Sequence, residues 1–258
     1  MKQIRVIKIG GNVIDNAEAL AHFVERFAAL EGPKILIHGG GKLATRLAQQ
    51  MEVEVKMVEG RRITDRPTLD IVTMVYAGLI NKQVVAALQA AGCNAIGLSG
   101  ADGNIVRAHR RPAAPIDYGY VGDIDGVDSQ LLATLLEAGL TPVFSAIMHD
   151  GEGSLLNCNA DSVATAIAEG AAAVAPTDLV FCFEKRGVLA NADDEDSVIS
   201  HITAESYRQL KADGVVSGGM IPKIENALKA VSRGIRSVVI KQAEALLEEG
   251  AGTTITNE

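Results

Sequence analysis

Short runs of hydrophobic residues recur along the chain and alternate with segments whose hydrophobic residues have helical spacing. Six runs have the length and composition of buried strands: residues 4–9, 34–38, 95–99, 142–147, 179–183 and 237–240. Hydrophobic residues three and four positions apart predict amphipathic helices between the runs, as at Leu20, Phe23, Val24 and Phe27 and again at Leu131, Leu132, Leu135 and Leu136. Continuous apolar strands that alternate with helices are typical of a mostly parallel sheet covered on both faces. The pattern therefore predicts an α/β fold.

Two segments add detail to this picture. Residues 100–127 are rich in Gly, Pro, Asp and Arg around short alternating pieces, which favours a β-hairpin at the edge of the sheet, near its ligand-binding end. A last helix is predicted to begin at Pro222, because the first helical residue needs no N–H donor. The hydrophobic face of that helix would carry Ile224, Ala227, Leu228 and Val231.

The composition is that of an ordinary soluble globular protein. The chain has 258 residues, of which 48% are hydrophobic and 22% are charged, enough for one large domain or two modest lobes. No apolar run approaches the roughly 20 residues that span a bilayer, and the N-terminus enters a strand without the profile of a signal peptide. We therefore expect a cytoplasmic protein that does not bind a membrane.

Charge and cysteine content exclude further classes of protein. A formal net charge of −8, only 3% aromatic residues and the lack of a Lys/Arg stripe argue against nucleic acid as a partner. Cys93, Cys158 and Cys182 are far apart, and no pair has the CxxC spacing of a zinc or redox site. We expect reduced, structural thiols and no metal ion held by the protein itself.

Two glycine-rich turns follow the first two predicted strands. The first turn follows Lys8 and the second follows His38, and their glycines are Gly10, Gly11, Gly39, Gly40 and Gly41. The segment HGGGK is not a P-loop, because Leu36 and Leu43 stand where that motif needs glycine and Ser or Thr. Backbone N–H groups at a helix N-terminus bind anions, so two such turns after neighbouring strands would flank one polyphosphate. Either turn alone is better explained as a tight packing turn.

Two further loops carry polar groups in front of helices. In NCNAD, Asn157, Asn159 and Asp161 precede a predicted helix, and one of them is expected to cap it. In GGMIPK, Lys223 lies in the first helical turn, where a cation opposes the helix dipole unless an anion compensates. A solvated surface lysine is an equally good interpretation of that loop read alone.

Together these loops describe a site for phosphoryl transfer. Such a reaction places little covalent demand on the protein, and catalysis is mostly positioning and charge neutralisation of the transferring group. Lys8 and Lys223, from opposite ends of the chain, would reach the phosphoryl oxygens from two sides. Asp161 would hold both ammonium groups in place.

The ordered motifs KIGGNVID, HGGGK, EGRRIT, NCNAD, GGMIPK and GTTI extend over almost the whole chain and together resemble the amino acid kinase family. The resemblance implies an open three-layer αβα sandwich around a mostly parallel sheet, the carbamate kinase-like fold. It also implies one domain with two lobes. Residues 1–175 would hold the acyl-amino-acid site and the dimer interface, and residues 176–258 would hold the ATP site.

The resemblance implies a role for each residue of the site. Lys8 and Lys223 would stabilise the transferring phosphoryl group, and Asp161 would orient them. Phosphate would bind the backbone of Gly10, Gly11, Gly39 and Gly40. Arg62 would bind the α-carboxylate of the substrate, and further substrate contacts would come from Gly40, Gly41, Asn157 and Asn159. The nucleotide lobe would contribute Glu184, Gly187 and Gly219.

The chain departs from the family pattern at two places in the nucleotide lobe. Phe183 and Glu184 stand where the family has Ser or Thr followed by Asp, and Lys241 and Gln242 replace a glycine-containing turn.

His38 is interpreted as a strand-end residue with a structural hydrogen bond and without a catalytic role.

The activity implied by the resemblance is ATP-dependent phosphorylation of the γ-carboxylate of N-acetyl-L-glutamate in arginine biosynthesis, with Mg²⁺ on the ATP phosphates. Because a γ-carboxyl group with a pKa of about 4.3 is ionised at neutral pH, its attack needs no general base. N-succinyl-L-glutamate or another substrate of the family remains an alternative, as does a non-catalytic sensor of nucleotide or amino acid. We expect a homodimer without arginine feedback, because the first strand starts at about Ile4 and leaves no N-terminal helix.

Overall fold

The structure is a computed structural model and describes residues 2–191, 193–216, 218 and 220–258. Its strands are β1 (Ile4–Ile9), β2 (Lys34–His38), β3 (Met57–Val58), β4 (Arg61–Arg62), β5 (Ala95–Leu98), β6 (Val106–Arg110), β7 (Gly122–Val127), β8 (Thr141–Ser145), β9 (Ile147–His149), β10 (Leu155–Asn157), β11 (Thr177–Phe183), β12 (His201–Ile202), β13 (Ser237–Gln242) and β14 (Thr253–Ile255). Its α-helices are α1 (Gly11–Ile14), α2 (Ala17–Ala29), α3 (Gly41–Gln50), α4 (Arg66–Thr73), α5 (Asn81–Ala90), α6 (Ser129–Glu137), α7 (Ala160–Ala172), α8 (Ala204–Ala212) and α9 (Met220–Ser232).

The main sheet has eight strands in the order β12-β14-β13-β11-β1-β2-β8-β5. Neighbouring strands are parallel except for β13 and β14, which are antiparallel. β1 lies between β11 and β2, so that Lys8 is level with Phe181 on one side and Ile37 on the other. The carboxyl ends of β1, β2 and β11 therefore meet at one edge of the sheet, which is where open α/β sheets bind their ligands.

Helices cover both faces of this sheet. Successive side chains of β1 point to opposite faces of the sheet. Val6 therefore packs in a core with α6 to α9, and Ile7 packs in a second core with α2 to α5. Phe144 is fully buried in the first core and Phe27 in the second, and each such side chain contributes roughly 1.5–3 kcal/mol. The three-layer αβα architecture predicted from the sequence is confirmed.

The strands lie close to the predicted positions. β1 and β2 have the predicted bounds, β11 begins two residues earlier and β13 ends two residues later. The predicted strand at 142–147 is divided, because the chain leaves the main sheet after Ser145 and begins β9 at Ile147.

Residues 100–127 form the predicted hairpin, but its predicted position at the edge of the main sheet is wrong. β6 and β7 pair antiparallel, and they belong to a separate four-stranded sheet with the order β10-β9-β6-β7. β9 continues directly from the main sheet and pairs with β6 between His149 and Arg107. β9 and β10 have only three residues each, which is too short for a recognisable hydrophobic pattern.

The last long helix begins earlier than predicted. α9 starts at Met220, so Pro222 is its third residue and not its first. Proline is tolerated there because the first four N–H groups of a helix have no intrahelical acceptor. The predicted buried face is confirmed by Ile224, Ala227 and Val231.

One long helix corrects the expectation that no apolar segment approaches the length of a membrane span. Residues Arg66–Ala90 form a continuous helix through α4, the π-helical segment Met74–Ile80 and α5. Of the helices that the structure describes, this one alone is long and apolar enough to cross a bilayer. Core helices of soluble proteins pass the same test, and Val72, Ile80 and Val84 are buried in the core below the sheet.

Candidate active site

The glycine turn after β2 is shaped by side chains that pack against it. Gly40 has φ +152°, and a Cβ on it would lie 2.2 Å from Cδ1 of Ile80 and 3.0 Å from Cδ1 of Tyr76. The close packing of Ile80 and Tyr76 and the positive φ therefore both disfavour a side chain at Gly40. At Gly39 a Cβ would make an ordinary contact of 3.7 Å with Cβ of Ala160.

His38 supports this turn from inside the core. It is fully buried; Nε2 lies 3.1 Å from Nδ2 of Asn81, and Nδ1 lies 2.9 Å from the backbone oxygen of Gly39. Because the amide nitrogen only donates, Nε2 accepts and the ring proton on Nδ1 is donated to Gly39. Burial lowers the pKa of His38 to about 4, so the ring is neutral at physiological pH. The predicted structural hydrogen bond is confirmed.

The helices that follow the two glycine turns differ from α7 in their capping. α1 follows Gly10 and α3 follows Gly40, and neither has a side-chain cap. The first N–H groups of α3 thus keep the capacity to bind an anion. α7 is capped by Asn159, whose Oδ1 accepts from the N–H groups of Asp161 and Ser162 at 2.9 and 3.1 Å.

Lys8 and Asp161 meet at the carboxyl end of β1. Nζ of Lys8 lies 2.7 Å from Oδ1 of Asp161, and the side chains are 11% and 43% exposed. Oδ1 of Asp161 has no hydrogen-bond partner, so the contact with Lys8 is an ion pair. The structure thus brings together two residues that are 153 positions apart in the sequence.

Lys223 reaches the same place from α9 without joining the ion pair. Its Nζ lies 4.0 Å from the ring centroid of Phe183, and Nζ of Lys8 lies 5.7 Å from the same centroid. Among the residues that the structure describes, no carboxylate oxygen lies within 4.0 Å of Nζ of Lys223. The expectation that Asp161 holds both ammonium groups is therefore not met in this structure, because Asp161 contacts Lys8 and an aromatic ring contacts Lys223.

A cavity of about 250 Å³, termed the small cavity, lies beside the second glycine turn. Its lining includes Gly39, Gly40, Gly41, Arg62, Asn157 and Asn159. Arg62 is 9% exposed, and its Nη2 donates to the backbone oxygen of Gly41 at 3.0 Å and to Oγ1 of Thr45 at 2.8 Å. Its Nη1 is buried without a hydrogen-bond partner. Within the described part of the chain no carboxylate pairs with Arg62, so the cavity contains an uncompensated cation.

The small cavity is also lined by residues that the sequence did not reveal, Tyr76 and Arg111. Arg111 donates from Nε to both carboxylate oxygens of Asp123, at 3.2 and 3.0 Å. These hydrogen bonds raise the pKa of Arg111 and lower that of Asp123, which makes the pair nearly neutral as a unit. The hairpin contains three arginines, and only the fold identifies the one beside the cavity.

A second cavity of about 760 Å³, termed the large cavity, follows the first glycine turn. Its lining includes Lys8, Gly10, Gly11, Glu184, Gly187 and Lys223. Gln242 donates to the backbone oxygen of Glu184 at 2.8 Å and holds that loop against β13. A Cβ on Gly187 would lie 2.8 Å from Oγ1 of Thr253, so packing explains this glycine. Gly219 lies outside the residues that the structure describes.

A groove of about 550 Å³ between α7 and α9, termed the central groove, adjoins both cavities. It shares Phe183 and Lys223 with the large cavity and Asn159 with the small cavity. Asp161 also lines the groove. Asp161 and Lys223 thus line a groove between a cavity of nucleotide size and a cavity of amino-acid size, and Lys8 reaches Asp161 from the wall of the large cavity. Cations in such a place can neutralise the charge of a transferring phosphoryl group.

Neither the cysteines nor a metal cluster adds chemistry to this site. In residues 2–191, 193–216, 218 and 220–258, no three His, Cys, Asp or Glu side chains come together to hold a metal ion. The three cysteines are free and buried. Burial raises the pKa of Cys158 and that of Cys182 to about 12, as expected for packing residues.

Known proteins match this chain over nearly its full length. Residues 3–242 match the amino acid kinase family. The acetylglutamate kinase of Cytophaga hutchinsonii is 52% identical over 249 residues, which cover 96% of this chain and 94% of the relative. The acetylglutamate kinase of Phocaeicola vulgatus is 49% identical over 254 residues, 98% of each chain. The crystal structure of smu.665 from Streptococcus mutans UA159 has a TM-score of 0.77 and 30% identity and covers 100% of both chains. The chain therefore belongs to the amino acid kinase family.

Proposed function

We propose that this chain is an ATP-dependent kinase that phosphorylates the γ-carboxylate of N-acetyl-L-glutamate, giving N-acetyl-L-glutamyl 5-phosphate and ADP in arginine biosynthesis. The observation that carries the proposal is that Asp161 and Lys223 line the groove that adjoins the two cavities, while Lys8, on the wall of the large cavity, pairs with Asp161. The names of relatives at 49% and 52% identity over nearly the whole chain support the choice of substrate.

The acyl-amino acid would occupy the small cavity. Arg62 would bind its α-carboxylate, because a buried guanidinium without a carboxylate partner favours a planar anion with two acceptor oxygens. Asn157 and Asn159, both on the cavity wall, would contact the α-carboxylate and the amide. The N–H groups of Gly40 and Gly41 at the start of α3 would then direct the γ-carboxylate towards the central groove.

ATP would occupy the large cavity. The backbone of Gly10, Gly11, Gly39 and Gly40 would bind phosphate oxygens, and Glu184 and Gly187 would border the rest of the nucleotide. Mg²⁺ would bind mainly to the ATP phosphates, since no cluster of three ligating side chains is present among the described residues. When bound, Mg²⁺ supplies charge neutralisation on the phosphates.

The reaction would be a direct in-line transfer. An oxygen of the γ-carboxylate forms a bond to the γ-phosphorus, and the bond from that phosphorus to the β,γ-bridging oxygen breaks, so that its electron pair leaves with ADP. Lys8 and Lys223 neutralise the charge on the transferring group, and Asp161 holds Lys8 at 2.7 Å. The carboxylate is already ionised at neutral pH, so no side chain needs to remove a proton.

The wider organisation follows from the same proposal. Residues 1–175 would form the acyl-amino-acid lobe and residues 176–258 the nucleotide lobe of a cytoplasmic homodimer. Met74 and Leu79 on the long helix Arg66–Ala90 are 50% and 48% exposed, and this apolar surface would lie in the dimer interface. Sedimentation should give a dimer for the natural chain and a monomer for Leu79→Glu. Unchanged sedimentation of the variant would place the interface elsewhere.

Trapping of the acyl phosphate with hydroxylamine tests the proposed activity. The natural protein is incubated with Mg-ATP and hydroxylamine in parallel with N-acetyl-L-glutamate, N-succinyl-L-glutamate and L-glutamate. We expect hydroxamate from N-acetyl-L-glutamate, with an equal amount of ADP. Hydroxamate from the succinyl compound alone would reassign the acyl group. If no acceptor gave hydroxamate while ATP still bound, the protein would be a sensor or use another acceptor.

A further inference from the structure

Phe183 lies close to both lysines, although the proposed reaction does not itself require an aromatic ring there. It is the last residue of β11 and is partly exposed. Its ring lies against that of Phe181, with centroids 5.8 Å apart and an interplanar angle of 18°. Phe181 is itself 9% exposed and belongs to the core. The ring of Phe183 is therefore supported by the buried ring of Phe181, and it also lines the central groove and the large cavity.

Both ammonium groups lie within the range of a cation–π contact with this ring. The distance to the centroid is 4.0 Å for Nζ of Lys223 and 5.7 Å for Nζ of Lys8, and such contacts extend to about 6 Å. The face of an aromatic ring carries partial negative charge and attracts a cation without adding a hydrogen-bond acceptor. Lys223, the closer of the two, has the stronger contact.

The charge balance of the site leaves Lys223 dependent on this ring. Asp161 pairs with Lys8 at 2.7 Å, whereas no carboxylate of the described residues pairs with Lys223. Lys223 also lies in the first turn of α9, where the helix dipole is unfavourable for a cation. Lys8 and Lys223 repel each other as like charges. The contact with the ring of Phe183 offsets these unfavourable terms.

We propose that Phe183 is a positioning residue that holds the ammonium group of Lys223 at the point of phosphoryl transfer. The proposal rests on the function proposed above. A lysine side chain has four flexible methylene groups and loses considerable rotamer freedom when it is fixed. The ring restricts that freedom before the substrates bind, so less is lost in the transition state. Phe183 acts through Lys223 and not on the substrates directly.

Two other roles for Phe183 make different predictions. As a stacking platform for the adenine ring, it would contribute to ATP binding and would not depend on Lys223. As a packing residue only, it would support β11 and the core, and its loss would lower stability without a specific effect on turnover. Both roles can be separated from the proposed one by steady-state kinetics.

The test is a double-mutant cycle between Phe183 and Lys223. Phe183→Leu removes the aromatic face and keeps a large apolar side chain, and Phe183→Met is a second variant of this kind in case the first does not fold. Phe183→Trp retains a ring face and serves as the conservative variant. Each change is made in the natural chain and in Lys223→Met. Hydroxamate formation gives kcat and both KM values, and thermal unfolding confirms that each variant is folded.

The expected result is a fall in kcat of roughly 3- to 30-fold for Phe183→Leu, the range of a cation–π contact from an exposed to a desolvated site. Both KM values should change less than about 3-fold, and Phe183→Trp should recover most of the rate. In the Lys223→Met background, Phe183→Leu should have no further effect on kcat.

Three results would overturn the proposal. An equal loss of kcat in both backgrounds would mean that Phe183 does not act through Lys223. A higher KM for ATP in both backgrounds, with kcat retained, would assign the ring to adenine. A kcat of Phe183→Leu equal to that of the natural chain would remove the role altogether. If the natural chain itself formed no hydroxamate, the proposed function would fail first and the role of Phe183 with it.

Discussion

Replacing Gly40 with alanine tests whether the core excludes a side chain from the second glycine turn. The new Cβ would lie 2.2 Å from Cδ1 of Ile80 and 3.0 Å from Cδ1 of Tyr76, at a φ of +152°. Overpacking costs about 1–3 kcal/mol, and a rarely adopted backbone conformation costs a similar amount. We therefore expect Gly40→Ala to lose about 2–6 kcal/mol of unfolding free energy. For a chain of this length, at about 2–4 °C per kcal/mol, the loss lowers Tm by roughly 4–24 °C.

Two further variants make the test specific. Gly39→Ala is the matched control, because its Cβ would lie 3.7 Å from Cβ of Ala160 in an ordinary contact, and we expect a loss below about 1 kcal/mol. Ile80→Val removes the Cδ1 atom that would clash, at a cost of about 0.5–1.5 kcal/mol on its own. When Ile80→Val is combined with Gly40→Ala, the double variant should regain part of the unfolding free energy that Gly40→Ala loses.

Urea unfolding followed by circular dichroism measures the stability of these variants on one scale. The order we expect is natural chain, then Gly39→Ala, then the double variant, then Gly40→Ala as the least stable. If Gly40→Ala were as stable as Gly39→Ala, packing against Ile80 and Tyr76 would not be the reason for this glycine.

Three further changes test other parts of the site. Lys8→Met should lower kcat by roughly 10²- to 10³-fold, the usual effect of losing one transition-state donor, and a near-normal kcat would contradict its role on the phosphoryl group. Arg62→Lys keeps the charge but loses the planar fork, so KM for the acyl-glutamate should rise roughly 10- to 100-fold with little change in KM for ATP; equal changes in both would contradict it. Burial lowers the pKa of His38 from 6.5 to about 4, so the unfolded chain is protonated first as the pH falls. His38 thus contributes stability that is complete above about pH 6.5 and lost by about 3 kcal/mol towards pH 4. Urea unfolding at pH 7.5 and 4.5 should show a smaller pH effect in His38→Asn than in the natural chain, and an equal effect would refute the linkage.

The parts of the fold that the sequence predicted well are those set by local pattern. β1 and β2 are buried on both faces, so their hydrophobic runs are continuous and their bounds are clear. The hairpin at 100–127 was recognised from its turn residues, but its sheet was not. Its partner β9 has only three residues and follows directly after β8 of the main sheet. No local hydrophobic pattern therefore distinguishes β9 from β8.

Of the candidate site, the sequence predicted only those residues whose side-chain type itself indicates a chemical role. The loops with Lys8 and Asp161 were predicted because charged groups at strand ends and helix starts are conspicuous, whereas the role of Arg62 was implied only by the resemblance to the amino acid kinase family. The reason for Gly40 was missed, because Ile80 is 40 positions away in sequence and meets the turn only in the folded chain. The contact between Lys223 and Phe183 likewise depends on the approach of α9 to the end of β11.

The central claim is direct transfer of the γ-phosphoryl group of ATP to the γ-carboxylate of N-acetyl-L-glutamate. It is tested most directly with substrate that carries ¹⁸O in both oxygens of the γ-carboxylate, in the presence of Mg-ATP and hydroxylamine. Transfer places one labelled oxygen between carbon and phosphorus, and hydroxylamine then releases it with the phosphate. The account predicts inorganic phosphate with one ¹⁸O atom and hydroxamate with one, as seen by mass spectrometry. Phosphate without label would show that ATP is hydrolysed by water and would contradict the account.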